Sequence, residues 1–152
     1  MSNELVRNLD WFKQAKPAPT LDDASTQTGC HYEEVSEMSE ALSNFGLMHH
    51  LTQIGDAYKT KDIAFVEGLK NMTEDQRTDD LDSLFDQITT AIGRAHMMGY
   101  DILGAMKEGN DSNFSKFEDG KALLDANGKV TKGKHYFKPD MRKYIGKCPW
   151  KD

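Results

Sequence analysis

The sequence predicts an all-α protein, a helical bundle that ends in a short irregular or hairpin tail. Apolar residues recur at spacings of three and four from Leu5 to Met106, the period of a helix that buries one face. Capping and stop residues divide those stretches into segments of bundle length. From Gly109 onward the periodicity gives way to Gly, Asn and Lys, the composition of a loop-rich segment. With 152 residues, one domain is expected, with a core over about 20–109 and a tail over about 110–145.

The first helix is expected over residues 3–15, where Leu5, Leu9 and Phe12 share a face with Val6 alongside and Trp11 adjacent. Lys16-Pro17-Ala18-Pro19 ends it, because proline disfavours helical geometry in the residue before it. Thr20 is placed to cap a second helix that runs to about Ser43, and Asp22 and Asp23 suit its positive end. Asn44 and Gly46 supply the stop. On that helix Val35, Met38 and Leu42 fall in one sector with Phe45, so this face is expected to be the buried one. Glu34 and Glu37 lie at its edge and are expected to be partly buried, whereas Glu33 and Glu40 fall on the wetter side.

Leu47–Tyr58 and Asp62–Met72 are further helical stretches, with Lys59-Thr60-Lys61 as a turn. Thr73-Glu74-Asp75-Gln76 is a capping box for a long helix over about 74–98. Leu81, Leu84, Phe85, Ile88 and Ile92 form its apolar stripe, and Asp79, Asp82 and Asp86 a second, acidic stripe. Gly99 breaks it, and Asp101 caps a short helix over Ile102–Lys107. Gly109–Asn113 is expected to be a loop, and Leu123–Lys132 a small hairpin turning at Asn127-Gly128.

The net charge of −6 argues against general nucleic-acid binding. Two cysteines are too few for a disulfide framework, no apolar run reaches membrane-spanning length, and the N-terminus lacks an apolar signal core. A soluble cytoplasmic protein without membrane partners is expected. Only 38% of residues are hydrophobic and the mean hydropathy is −0.70, so a thin bundle that completes its core by oligomerising fits. Acids three or four apart on two helices could supply the few carboxylates that Mg²⁺ prefers; on a solvated face they need no such role.

Glu33-Glu34-Val35-Ser36-Glu37 resembles the EExxE motif of the all-α nucleoside triphosphate pyrophosphohydrolases, the MazG-like, dimeric dUTPase-like and phosphoribosyl-ATP pyrophosphohydrolase-like proteins. Asp82-Ser83-Leu84-Phe85-Asp86, with Gly93, Gly99 and Asp101 after it, is similar to the second motif of small phage and bacterial members. Ser112–Lys116 and the run Gly128–Lys132 with Tyr136, Pro139 and Asp140 resemble the segments that follow the core in that subgroup. The family commonly has ExxD as its second motif. Here Ser83 stands three before Asp86, so either Asp82 fills the place or Asp79-x-x-Asp82 does so one turn earlier. Residues 47–75 have no match in the pattern.

The resemblance implies a MazG-like bundle that assembles as a homodimer or homotetramer, in the host cytoplasm if phage-encoded. It implies Mg²⁺, with Mn²⁺ as a substitute, and cleavage of a nucleoside triphosphate between the α- and β-phosphates. The substrate would come from the deoxynucleotide pool, of the dUTP, dCTP or dGTP class. Glu34, Glu37, Asp82 and Asp86 would be the metal ligands, and Glu33 or Glu40 would orient or deprotonate water. Asn113, Lys116 and Lys132 would contact phosphates. Tyr136 would either touch the ligand or anchor the tail, and Trp11 would either stack on a base or belong to the core. A helical interaction protein that binds nucleotide without turnover is the competing expectation.

Overall fold

The structure, a computed structural model, describes residues 3–150. The chain is all-α. Its helices are α1 (Glu4–Ala15), α2 (Leu21–Ala41), α3 (Phe45–Lys59), α4 (Ile63–Lys70), α5 (Glu74–Met97) and α6 (Ile102–Phe114), followed by a 3₁₀ turn at Met141–Tyr144. Two isolated antiparallel bridges, Glu118 with Lys121 and Leu124 with Val130, are the only extended pairings among the described residues. No helix among these residues is long and apolar enough to cross a membrane.

The helix starts follow capping chemistry. The Thr20 hydroxyl accepts the Asp23 amide, and the Asp23 carboxylate accepts the Thr20 amide, a reciprocal box that satisfies two orphan donors. Thr73 and Gln76 make the same exchange at α5. Asn44 proves to be a start and not a stop: its side chain accepts the Leu47 amide and opens α3. The preceding residue, Ser43, turns the chain at a φ of 58°.

The described residues fall into two compact units that interleave along the chain. The first holds α1, α5, α6 and most of the tail, residues 3–15, 73–123 and 131–150. The second holds α2, α3, α4 and the tip of the tail hairpin, residues 16–72 and 124–130.

The first unit has the aromatic core. Trp11 and Phe117 are buried and stack with ring centroids 5.7 Å apart, and Phe114 meets Phe117 edge-on at 5.9 Å. The helix α6 runs on to Phe114 through the segment Gly109–Asn113 that the sequence marks as a loop. Tertiary bonds override the weak helix propensity there. Asn110 is buried and donates to the Glu4 carbonyl at 2.8 Å and the Glu4 carboxylate at 2.9 Å. Arg7 donates to Asp111 at 2.6 Å, and the Ser112 hydroxyl donates to the Phe137 carbonyl at 2.8 Å. Glu108 anchors the tail by accepting the Asp140 amide at 2.6 Å and the Tyr144 hydroxyl at 2.8 Å.

The second unit is built differently. The buried residues of α2 are Ser25, Thr26, Gly29, Ser36 and Ser39, and that of α3 is Gly55. The Val35–Met38–Leu42 sector expected to be the buried face is not. Met38, Leu42 and Phe45 are 39%, 59% and 60% exposed, and Glu34 and Glu37 are exposed with them. The reason is closeness of approach. A Cβ on Gly29 would stand 2.5 Å from the Gly55 carbonyl oxygen, so the two backbones touch where neither residue has a side chain. At that separation only hydroxyls and hydrogens fit. Ser25 donates to the Tyr58 carbonyl at 2.7 Å and Ser36 to the Met48 carbonyl at 3.0 Å. Both buried hydroxyls are thereby satisfied.

At the entrance to α2, Lys16 lies 2.5 Å from Asp23. That hydrogen bond, with the Thr20 amide, pulls the Asp23 carboxyl from 3.8 to about 2. The folded value is below the unfolded one, so the stabilisation is complete above about pH 4 and is lost as pH falls towards 2. Urea melts of wild type and Asp23→Asn should therefore differ at pH 7 and converge at pH 2. A constant gap across that range would remove Asp23 from the acid response.

Candidate functional site: an acid-lined cleft between two helices

The helices α2 and α3 enclose a cleft of about 230 Å³, lined on one wall by Glu33, Ser36, Glu37 and Glu40 and on the other by Met48, Thr52, Asp56 and Lys59. The Gly29–Gly55 contact is what sets the walls so close. Glu33, Glu37 and Glu40 follow one another at helical spacings of four and three, so α2 presents all three to the same side. Asp56 comes from the last turn and a half of α3.

Glu33 is half-buried and doubly engaged. Lys129, from the hairpin tip, lies 2.7 Å from its Oε2, and Lys59, from the end of α3, 3.4 Å from its Oε1. Lys59 also stands 3.2 Å from Asp56. The Lys129 hydrogen bond, aided by Lys59, holds the Glu33 carboxyl below the ordinary glutamate range. Glu33 in turn raises the Lys129 ammonium. Burial pushes the nearby Cys30 thiol up, which leaves it unreactive as a nucleophile.

The sequence-derived candidates divide between the two units. Glu33, Glu34 and Glu37 stand on α2 in the second unit, with Glu34 exposed. Asp82 and Asp86 stand on α5 in the first unit, both exposed. Trp11, Asn113, Lys116, Lys132 and Tyr136 also belong to the first unit. There, three of them meet one another. The Trp11 indole N–H donates to the Asn113 carbonyl at 2.8 Å, and Lys116 donates to the Asn113 side chain at 2.7 Å while lying 5.6 Å from the Trp11 ring centroid. Lys132 lies over the Tyr136 ring at 5.0 Å. Trp11 is thus buried in the core of the first unit, and Tyr136 meets Lys132 within the tail.

Asp56 and Lys59 are the cleft residues that sequence reasoning misses, and Lys129 reaches Glu33 from the hairpin tip. A signal for the first was available. Gln53-Ile54-Gly55-Asp56 has the spacing of ExxD, with an amide in place of the first carboxylate, in the stretch left without a match.

The cleft's acids are oxygen donors, the kind of ligand that Mg²⁺ takes; that ion is commonly held by one or two carboxylates, water and substrate phosphates. Among the described residues, no three His, Cys, Asp or Glu side chains stand close enough together to hold a metal ion as they lie. The cleft therefore offers one or two carboxylates at a time and not a closed cage. Comparison with protein-family models, curated proteins and solved structures finds no match for this chain.

Proposed function

We propose that the protein is a Mg²⁺-dependent nucleoside triphosphate pyrophosphohydrolase acting on deoxynucleotides of the dUTP, dCTP or dGTP class. The observation that supports this reading is the α2–α3 cleft, where acids of the EExxE-like stretch and Asp56 share one small space. Glu37 on α2 and Asp56 on α3, which both line the cleft, would hold the metal. When bound, Mg²⁺ would neutralise phosphate charge and acidify the attacking water. The chain's own part is to fix the carboxylates across a narrow gap and to receive a proton. Glu40 or Glu33 would accept it from water, as the α–β anhydride bond breaks to give nucleoside monophosphate and pyrophosphate. Asp56 takes the place that the sequence alone offers to Asp82 and Asp86.

The test is a panel of canonical and modified NTPs and dNTPs with Mg²⁺ or Mn²⁺, products resolved by chromatography. Monophosphate and pyrophosphate from one or a few dNTPs would support the reading. Diphosphate and orthophosphate would overturn the assigned bond. No turnover of any nucleotide would favour a non-catalytic nucleotide-binding or interaction bundle.

A homo-oligomer belongs to the same proposal, and α5 supports it. Every residue from Glu74 to Ile92 is exposed, over a helix roughly 36 Å long. Leu81 and Phe85 are 68% and 62% exposed, and Leu84, Ile88 and Ile92 extend the same row. Such a row marks an association surface, and burying one Phe is worth about 1.5–3 kcal/mol. Light scattering should give a multiple of the 17.2 kDa chain mass for wild type and a smaller multiple for Phe85→Asp. A monomeric wild type would remove the oligomer.

A further inference from the structure

The exposed row on α5 is periodic as well as apolar. Leu81, Leu84, Ile88 and Ala91 follow one another at alternating spacings of three and four, the stripe of a helix that packs against another helix. Phe85 and Ile92 widen the stripe on one side, and Asp80, Gln87 and Arg94 border it on the other at intervals of seven, all of them exposed. Charge is divided along the same helix. Its six acids all lie between Glu74 and Asp86, with Arg77 as the one cation among them. The stretch from Gln87 to Met97 has no acid and carries Arg94 and His96.

A parallel copy of α5 would set acid against acid along this row. An antiparallel copy sets the acidic part of each helix against the acid-free part of the other. The apolar stripe of α2 is a poorer match, because Glu34, Glu37 and Glu40 stand beside Met38 and Leu42 and would oppose the aspartates of α5. We propose that a second copy of this chain occupies the face, its α5 paired antiparallel with the first about a two-fold axis near Asp86. The stripe fixes the register. With Leu84 facing Ile88 of the partner subunit, Leu81 meets the partner's Ala91, large against small, and Phe85 lies beside the partner's Phe85. In the same register Asp80 stands beside the partner's Arg94, and symmetry makes that ion pair twice. Leu81, Leu84, Phe85, Ile88 and Ile92 are between 41% and 68% exposed. Covering them in both copies removes on the order of 1,000 Å² from water, the lower edge of a specific interface. This rests on the homo-oligomer proposed above, and not on the reaction.

The test is a charge exchange read by sedimentation equilibrium over a series of protein concentrations. Positions 80 and 94 stand roughly 21 Å apart along one helix, so coupling between them reports contact between copies. Asp80→Arg and Arg94→Asp should each weaken the dimer about tenfold, because each sets like charges opposite one another twice. Asp80→Arg/Arg94→Asp restores opposite charges and should return the affinity to within about threefold of wild type. An equimolar mixture of the two single variants should give the heterodimer by native mass spectrometry, since both of its ion pairs again join opposite charges. Circular dichroism melts confirm that each variant is folded. A wild-type oligomer that neither single variant weakens, or a double variant no tighter than the singles, would overturn the pairing and leave the oligomer standing. A monomeric wild type would overturn both. Rescue in the double variant without turnover of any nucleotide would uphold the pairing and sink the proposed reaction.

Discussion

Gly29→Val should cost the protein at least about 3 kcal/mol, a large share of a typical domain's 5–15 kcal/mol stability. The side chain would have to enter a space where a single Cβ already stands 2.5 Å from the Gly55 carbonyl oxygen and 3.1 Å from the Lys59 amide nitrogen. Neither obstacle is a flexible side-chain end. Both are helix backbone, so α3 must move away from α2 as a body. That movement would break the Ser25–Tyr58 and Ser36–Met48 hydrogen bonds and take these carbonyl partners from the two buried serine hydroxyls. Gly68→Ala is the matched control. A Cβ there meets nothing within 4 Å, and alanine is the better helix former, so stability should rise by up to about 1 kcal/mol. Urea denaturation of the two variants beside wild type reads both signs. Equal, small effects would mean that the seam has room to relax.

Turnover should fall at least about 100-fold in Asp56→Ala and in Glu37→Ala, with the fold retained. The floor comes from metal sites in general, where loss of a mere supporting residue already costs 10–100-fold. Both side chains are exposed and line the cleft. Neither is buried in the α2–α3 seam, so their removal creates no cavity. Asp86→Ala is assayed in parallel. If it abolishes turnover and Asp56→Ala does not, the second acidic motif is on α5 and the cleft is not the metal site. If both α2–α3 variants lose activity together, the Gln53–Asp56 stretch takes the role of the second motif.

Much of the helical framework is legible in the sequence because local chemistry determines it. Thr20, Thr73 and Asp101 cap helices where their hydroxyl or carboxyl oxygens can accept a backbone amide three residues on. Gly99 ends α5 at a φ of 76°, and Gly128 turns the hairpin at 79°, both conformations that favour glycine. What is not legible is decided by distant partners. Residues 109–113 have poor helix propensity, and partners remote in sequence, Glu4, Arg7, Asn8, Trp11 and Phe137, hold them as a helix. The buried side of α2 escapes a search for apolar periodicity because it is lined by serine, threonine and glycine. The same inversion hides the cleft. Once Ser36 and Gly29 face α3, Glu33, Glu37 and Glu40 turn towards Asp56, and the apolar sector at Met38 turns away.

The seam of small residues also has a calorimetric meaning. No apolar side chain of the second unit is buried among the described residues; its buried positions are hydroxyl-bearing residues and glycines. Exposing polar surface lowers the heat capacity of unfolding, whereas exposing apolar surface raises it. The α2–α3 pair therefore contributes less than the usual share of the curvature in the protein's stability against temperature. Its hold comes from backbone contact and hydrogen bonds, which do not fade on cooling as the hydrophobic term does. The part of the molecule that carries the acid-lined cleft is built to lose little of its grip in the cold.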